Sequence, residues 1–194
     1  AKDIRLDGVT AMPIGLGTHF LREREKQFID AVVSSNITTE MRYPLVLASW
    51  GYFFPELSQK INSRASAAKF VEGKSWIRHA EVPSKQWFGE LAKHRFMLSP
   101  TGQGLQSCKL MEALLVQTIP IVQCYSAVED LVAMGYPIVI VDKWDEVNPQ
   151  NLKQRWSDMS PRLDCFRWWL SVVGWSEIVS GNAMPGNLAR CERL

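Results

Sequence analysis

Apolar residues recur along this chain in two rhythms, one of short unbroken runs and one near a 3.6-residue period with charged residues between. From Phe20 to about Ser34, the residues Phe20, Leu21, Phe28, Ile29, Val32 and Val33 follow the second rhythm, which predicts an amphipathic helix. Tyr43–Ala48 is short and apolar throughout, which predicts a strand buried on both faces. Pro55 to Val71 predicts another helix, with proline in the first turn, where its missing N–H costs nothing. Strands are then expected near Trp76–Ala80, at Phe96–Leu98, at Ile119–Val122 and at Pro137–Val141. Helices are expected between them near Ser84–His94, at Leu105–Val116 and at Ala127–Met134.

Strands separated by helices of about ten residues require βαβ crossovers, because parallel neighbours cannot be joined by a tight turn. The predicted fold is therefore α/β: a Rossmann-like parallel sheet with helices on both faces. Residues 1–20, where Val9–Gly17 is interrupted by Pro13, Gly15 and Gly17, read as a linker-like segment, and 21–160 as the domain. Residues 161–194 read as a helical tail. Asn151–Trp156 and Leu163–Ile178 are expected to be helical, with Trp156, Trp168, Trp169 and Trp175 as packing residues.

Composition narrows the classes of function. With 46% hydrophobic and 22% charged residues, the chain has the make-up of a folded globular protein. A formal charge of +2 gives no broad field for nucleic acid, so no nucleic-acid partner is expected and any anion site must be local. Cys108, Cys124, Cys165 and Cys191 form no CxxC pair, so they read as free thiols and not as a zinc or redox site. No apolar run is long enough to span a membrane, and no charged-then-apolar start resembles a signal peptide. The first residue is Ala1, which leaves room for an upstream piece. Asn36-Ile37-Thr38 is a glycosylation sequon, relevant only in a secretory compartment.

The stretch that carries chemistry runs from Phe96 to Val122. A strand ends, Ser99-Pro100-Thr101-Gly102-Gln103-Gly104 forms a loop, and an amphipathic helix follows. Glycine lets backbone approach a ligand, and unpaired N–H groups at a helix start favour a phosphate. The hydroxyls of Ser99 and Thr101 add donors beside that point. Lys109 and Glu112 lie three residues apart on one helix face, where a cation can sit near a diphosphate and a carboxylate can accept from ribose hydroxyls. The same spacing also suits a solvated ion pair.

Familiar glycine loops do not fit. A P-loop requires Gly-Lys-Ser/Thr, and Gly104 is followed by Leu105. The dinucleotide fingerprint requires a glycine where Ser107 stands and normally follows the first strand. No Asp-x-Asp occurs, so the short acidic motif with which many sugar transferases hold a metal is missing.

The run Phe96-Met97-Leu98-Ser99-Pro100-Thr101-Gly102-Gln103-Gly104, then Glu112-Ala113-Leu114 and Thr118-Ile119-Pro120-Ile121-Val122, resembles the exostosin-like glycosyltransferases of GT-B architecture. Pro137–Trp144, Met12–Leu16 and Asn62-Ser63-Arg64 extend the resemblance over about residues 12–156. It implies the C-terminal, donor-binding half of a two-domain enzyme, whose acceptor half comes first in sequence. The implied partners are a nucleotide-sugar donor and a carbohydrate or glycan acceptor, with no resident cofactor. Gly102 and Gly104 would face the donor diphosphate, Arg64 and Lys109 would offset its charge, and Glu112 would hold the ribose. The implied compartment is a Golgi or secretory lumen in a eukaryote and the cytoplasm in a bacterium or virus. Two positions depart from the pattern: Gln117 stands where glycine is usual, and Cys108-Lys109 where a His-Arg-like pair is usual.

No general base for the acceptor is identifiable. His19 follows the linker-like segment and Asp142 ends a predicted strand, while His79 and His94 read as surface or core residues. Two alternatives stand beside a donor-binding domain: an α/β binding module without turnover, and an unrelated α/β enzyme acting on a phosphorylated metabolite.

Overall fold

A computed structural model describes residues 43–50, 63–102, 106–163 and 172–180 of the chain. The linker-like segment, the helix expected from Phe20, the sequon, His19, Gly104, Cys165, Cys191, Trp168 and Trp169 lie outside these residues. In chain order the elements are β1 (Tyr43–Ala48), α1 (Ser63–Val71), β2 (Ile77–His79), α2 (Trp87–Leu91), β3 (His94–Leu98) and α3 (Cys108–Leu115). They continue with β4 (Ile119–Gln123), α4 (Ser126–Ala133), β5 (Val139–Val141), α5 (Pro149–Met159) and α6 (Val172–Val179). Five described strands form one parallel sheet in the order β2-β1-β3-β4-β5. The α/β Rossmann-like fold expected from the apolar pattern is the fold observed.

Because side chains alternate along a strand, the sheet offers two faces, and both are covered. Val46, Ala48, Ile77, Phe96, Leu98, Ile119, Ile121, Val139 and Val141 pack on one face against Ala67, Phe70 and Val71 of α1 and Leu152 and Trp156 of α5. Leu47 and Met97 point the other way, against Trp87, Phe88 and Leu91 of α2 and Ala113 of α3. Further along that second face, Val122 packs with Leu110, Met111 and Leu114 of α3 and Val128 and Leu131 of α4. This distribution follows from handedness. Right-handed crossovers place helices on opposite faces when the strand order runs in opposite directions. The chain steps one way from β1 to β2 through α1, then the other way through α2, α3 and α4.

Pro120 sits within β4, where a missing N–H would ordinarily break a ladder. The carbonyl of Ile121 accepts from the Ser99 N–H at 2.9 Å, so Ile121 faces β3 and Pro120 by alternation faces β5. Strand β5 begins at Val139, the partner of Ile121, and leaves the proline nitrogen without a strand residue to serve. Trp156 is a core residue as expected, and Phe96 meets its ring edge-on with centroids 5.8 Å apart.

Where the expected helix at Ser84–His94 differs from the fold, the reason is a buried tie. A 3-10 turn at Ser84–Gln86 leads into α2, which ends at Leu91, and His94 already belongs to β3. Thr118 Oγ1, fully buried, lies 2.8 Å from the Leu91 carbonyl and 3.0 Å from the His94 carbonyl and shares its one proton between them. That hydroxyl satisfies the carbonyls on either side of the α2–β3 turn. His94 is also buried. Its Nδ1 lies 2.9 Å from the Glu90 carbonyl, and a carbonyl can only accept, so Nδ1 carries the proton.

Helix α3 ends in a Schellman motif. The Thr118 N–H donates to the Ala113 carbonyl at 2.8 Å and the Gln117 N–H to that of Leu114 at 3.0 Å, with Gln117 at φ 60°. The next helix closes identically, through Tyr136 to Leu131 and Gly135 to Val132, but with glycine at the left-handed position. Gln117 therefore holds a backbone conformation that costs a side-chain-bearing residue about 1 kcal/mol or more. We expect Gln117→Val to be less stable than Gln117→Gly by at least about 1 kcal/mol in denaturant unfolding, because a β-branched residue fits that conformation worst. Equal stabilities would contradict the motif.

Burial lowers the His94 pKa, outweighing its contact with Glu90, which acts in the opposite direction. The unfolded chain then binds the proton more readily than the folded one. Stability is full above the ordinary histidine value near 6.5 and falls as pH drops from there towards the lower folded value. Melting temperatures between about pH 7.5 and pH 5 are expected to show this loss, and His94→Gln to flatten it. An unchanged pH profile in that variant would contradict the assignment.

Candidate functional site

The strand order reverses between β1 and β3. At such a point the loops leaving the two strands separate to opposite faces and open a crevice at the carboxyl edge of the sheet, where ligands of open α/β folds bind. The chain beyond β1 is Ser49-Trp50, and beyond β3 it is Ser99-Pro100-Thr101-Gly102. Ala48 pairs with His79 on one side and Leu98 on the other, so the three strand ends stand level.

Six of the residues singled out from the sequence can be located around this edge with definite contacts or burial. Ser99 and Thr101 are buried in its wall and Gly102 is exposed at its rim. Arg64, in the first turn of α1, brings its guanidinium against Gly102. A Cβ on that glycine would lie 2.7 Å from Arg64 Nη2. With glycine there, the guanidinium end occupies space that a Cβ would take. Burial lowers the Arg64 pKa, though arginine remains protonated throughout the working range.

Lys109 lies in the first turn of α3, whose preceding residue Ser107 caps it by accepting the Lys109 N–H at 3.3 Å. The Lys109 ammonium crosses to β1 and donates to the Ser49 carbonyl at 2.9 Å. It also lies 4.3 Å from the centre of the Trp87 ring, a cation–π distance. Glu112, one turn further, is buried, and its Oε2 accepts from Trp87 Nε1 at 2.7 Å. Lys109 and Glu112 therefore share a tryptophan, the cation on its face and the carboxylate at its N–H. The helix-face spacing is as expected, but Glu112 turns into the protein and not towards solvent.

Trp87 and Ser49 were not distinguished by sequence reasoning. Trp87 sits in a helical stretch where a tryptophan reads as packing, and the Ser49 contribution is a backbone carbonyl, which no side-chain pattern encodes. Cys108 is half-buried, and burial followed by the charge of Glu112 raises its thiol pKa, so it is not poised as a thiolate. Asp142 follows β5 at the same sheet edge, and its carbonyl accepts from Gln123 Nε2 at 3.2 Å. His94 stands at the opposite edge, at the start of β3.

A scan against protein-family models finds no match, and a search of the curated proteins finds none. Fold and strand order define a class: a Rossmann-like α/β domain with a topological switch point between β1 and β3. No described helix is long and apolar enough to cross a membrane.

The Trp87 contacts predict a measurable coupling. Trp87→Phe removes the indole donor and leaves a buried carboxylate oxygen short of a hydrogen bond, which costs about 1–3 kcal/mol of stability. In a double-mutant cycle with Glu112→Gln, the two losses should fall short of additivity by at least about 0.5 kcal/mol. Strict additivity in urea unfolding would show that the contact contributes nothing.

Proposed function

We propose that this chain is the donor-binding domain of a glycosyltransferase, taking a nucleotide sugar at the β1/β3 crevice for transfer to a hydroxyl of a carbohydrate or glycan acceptor. The observation that carries this reading is the contact of Arg64 with the Gly102 backbone at the sheet's carboxyl edge. It sets a cation beside a loop that leads into a helix N-terminus. A nucleotide-sugar donor needs both, because negative charge grows on the leaving diphosphate and must be met by positioned cations and N–H groups. The exostosin-like pattern from Phe96 to Val122 points the same way. In this reading Arg64 and the loop backbone hold the diphosphate, Ser99 and Thr101 shape its wall, and Lys109 adds positive potential from the flank. The metal-independent chemistry expected from the sequence belongs to the same proposal.

A second reading is favoured by the Trp87 contacts. Lys109 and Glu112 are engaged within the protein, at the Ser49 carbonyl and the Trp87 indole, and this suits a module that keeps the fold and binds without turnover.

Ligand binding to the native state separates these readings from an unrelated fold member. UDP or GDP is expected to raise the melting temperature, because a ligand of the folded state alone stabilises it by mass action. Arg64→Ala should abolish the shift. No shift with any nucleoside diphosphate would overturn both nucleotide readings. Sugar transfer from a donor to a glycan acceptor would then exclude the module.

A further inference from the structure

At the same sheet edge lies an aromatic pair that the diphosphate reading does not use. Trp50, beyond the end of β1, and His79, the last residue of β2, stack with ring centroids 5.1 Å apart and planes tilted by 32°. Trp50 packs against the core on the α1 face, and His79 is exposed. Alternation explains the pairing: Val46 and Ala48 point to the α1 face and Trp50 continues their side, while Ile77 and His79 do the same on β2.

We propose that Trp50 and His79 form the seat for the base of a bound nucleoside diphosphate. The inference rests on the donor-site reading above and deepens it. Both rings lie on the face that carries Arg64, so a single ligand can reach from them to the Arg64–Gly102 contact without crossing the sheet. The distance of His79 from β3 selects the base over a sugar, with Trp50 beyond β1 lying between them. Strands β2 and β3 are two strand spacings apart, about 10 Å. A ribose intervenes between a base and its diphosphate and fills that span, whereas a sugar joined directly to the diphosphate sits closer to Arg64. A base also has a π face for stacking on the pair, an interaction tolerant of which base it is.

The test is titration of the chain with UDP, GDP and inorganic pyrophosphate, for wild type, His79→Ala, Trp50→Ala and Trp50→Phe. The nucleotides should bind more tightly than pyrophosphate in wild type. His79→Ala and Trp50→Ala should each weaken nucleotide binding about tenfold while leaving pyrophosphate binding unchanged, and Trp50→Phe should retain most of the affinity. His79 is exposed, so its replacement tests the platform even if Trp50→Ala fails to fold. Nucleotide affinity unchanged in His79→Ala, or no tighter in wild type than that of pyrophosphate, would overturn the platform alone. Absence of binding by all three probes in wild type would overturn the donor-site reading with it.

Discussion

Strand β1 is paired along both edges, with β2 on one side and β3 on the other, and the arrangement of the carboxyl edge follows from that constraint. Its Val46, Leu47 and Ala48 are fully buried and alternate between faces, so each face must be covered by a different helix. A chain that leaves β1 for β2 through α1 and returns for β3 through α2 has to reverse direction beside β1. The reversal places α1, which follows β1, and α3, which follows β3, on opposite faces of the sheet. The topological switch point is therefore a by-product of covering one central strand twice, whichever residues stand at it.

Parallel pairing fixes the strands, but the helix that borders the crevice needs its own tether. Lys109 supplies one by reaching from α3 to the Ser49 carbonyl, a contact that joins the second face to the end of β1. Its ammonium lies over Trp87, and Trp87 is in turn held by Glu112 of the same helix. The loop closes from α3 to α2 and back. Burial of Glu112 is tolerable because a strong donor meets its carboxylate, and the indole N–H is satisfied by the same bond. The start of α3 is thereby held at one height relative to the strand ends.

Much of this was legible in the chain because the relevant signals are local. Every described strand was expected, all but β2 from an apolar run, and the parallel sheet from the alternation of strands with helices. The end of α2 was not legible, because a long-range hydroxyl from Thr118 and not a proline or glycine holds the turn. At the site, Gly102 and Arg64 could be named from sequence, but their mutual contact could not. The inward turn of Glu112 was hidden for a related reason: it depends on Trp87, distant in sequence, and a carboxylate three residues from a lysine on a helix reads as a surface pair. Gly104 lies outside the described residues, so its part in the loop rests on the sequence pattern.

The motif from Phe96 to Val122 can now be divided by physical cause. Phe96, Leu98, Ala113, Leu114, Ile119 and Ile121 are core residues, and Thr118 is a buried tie, so these letters have a structural role in the fold itself. The position of Gln117 belongs with them. A left-handed residue is demanded there by the Schellman closure of α3, whatever the domain binds, so glutamine in place of glycine is a departure in backbone strain and not in chemistry. Glu112 also has a structural partner in Trp87. What the fold alone does not require is a guanidinium laid against an exposed glycine at the sheet's carboxyl edge. Gly102 is at the rim, and the group that a Cβ there would meet is the guanidinium end of Arg64. In the donor-site proposal that contact is where the pattern would meet a ligand, whereas the core letters report the fold that presents it.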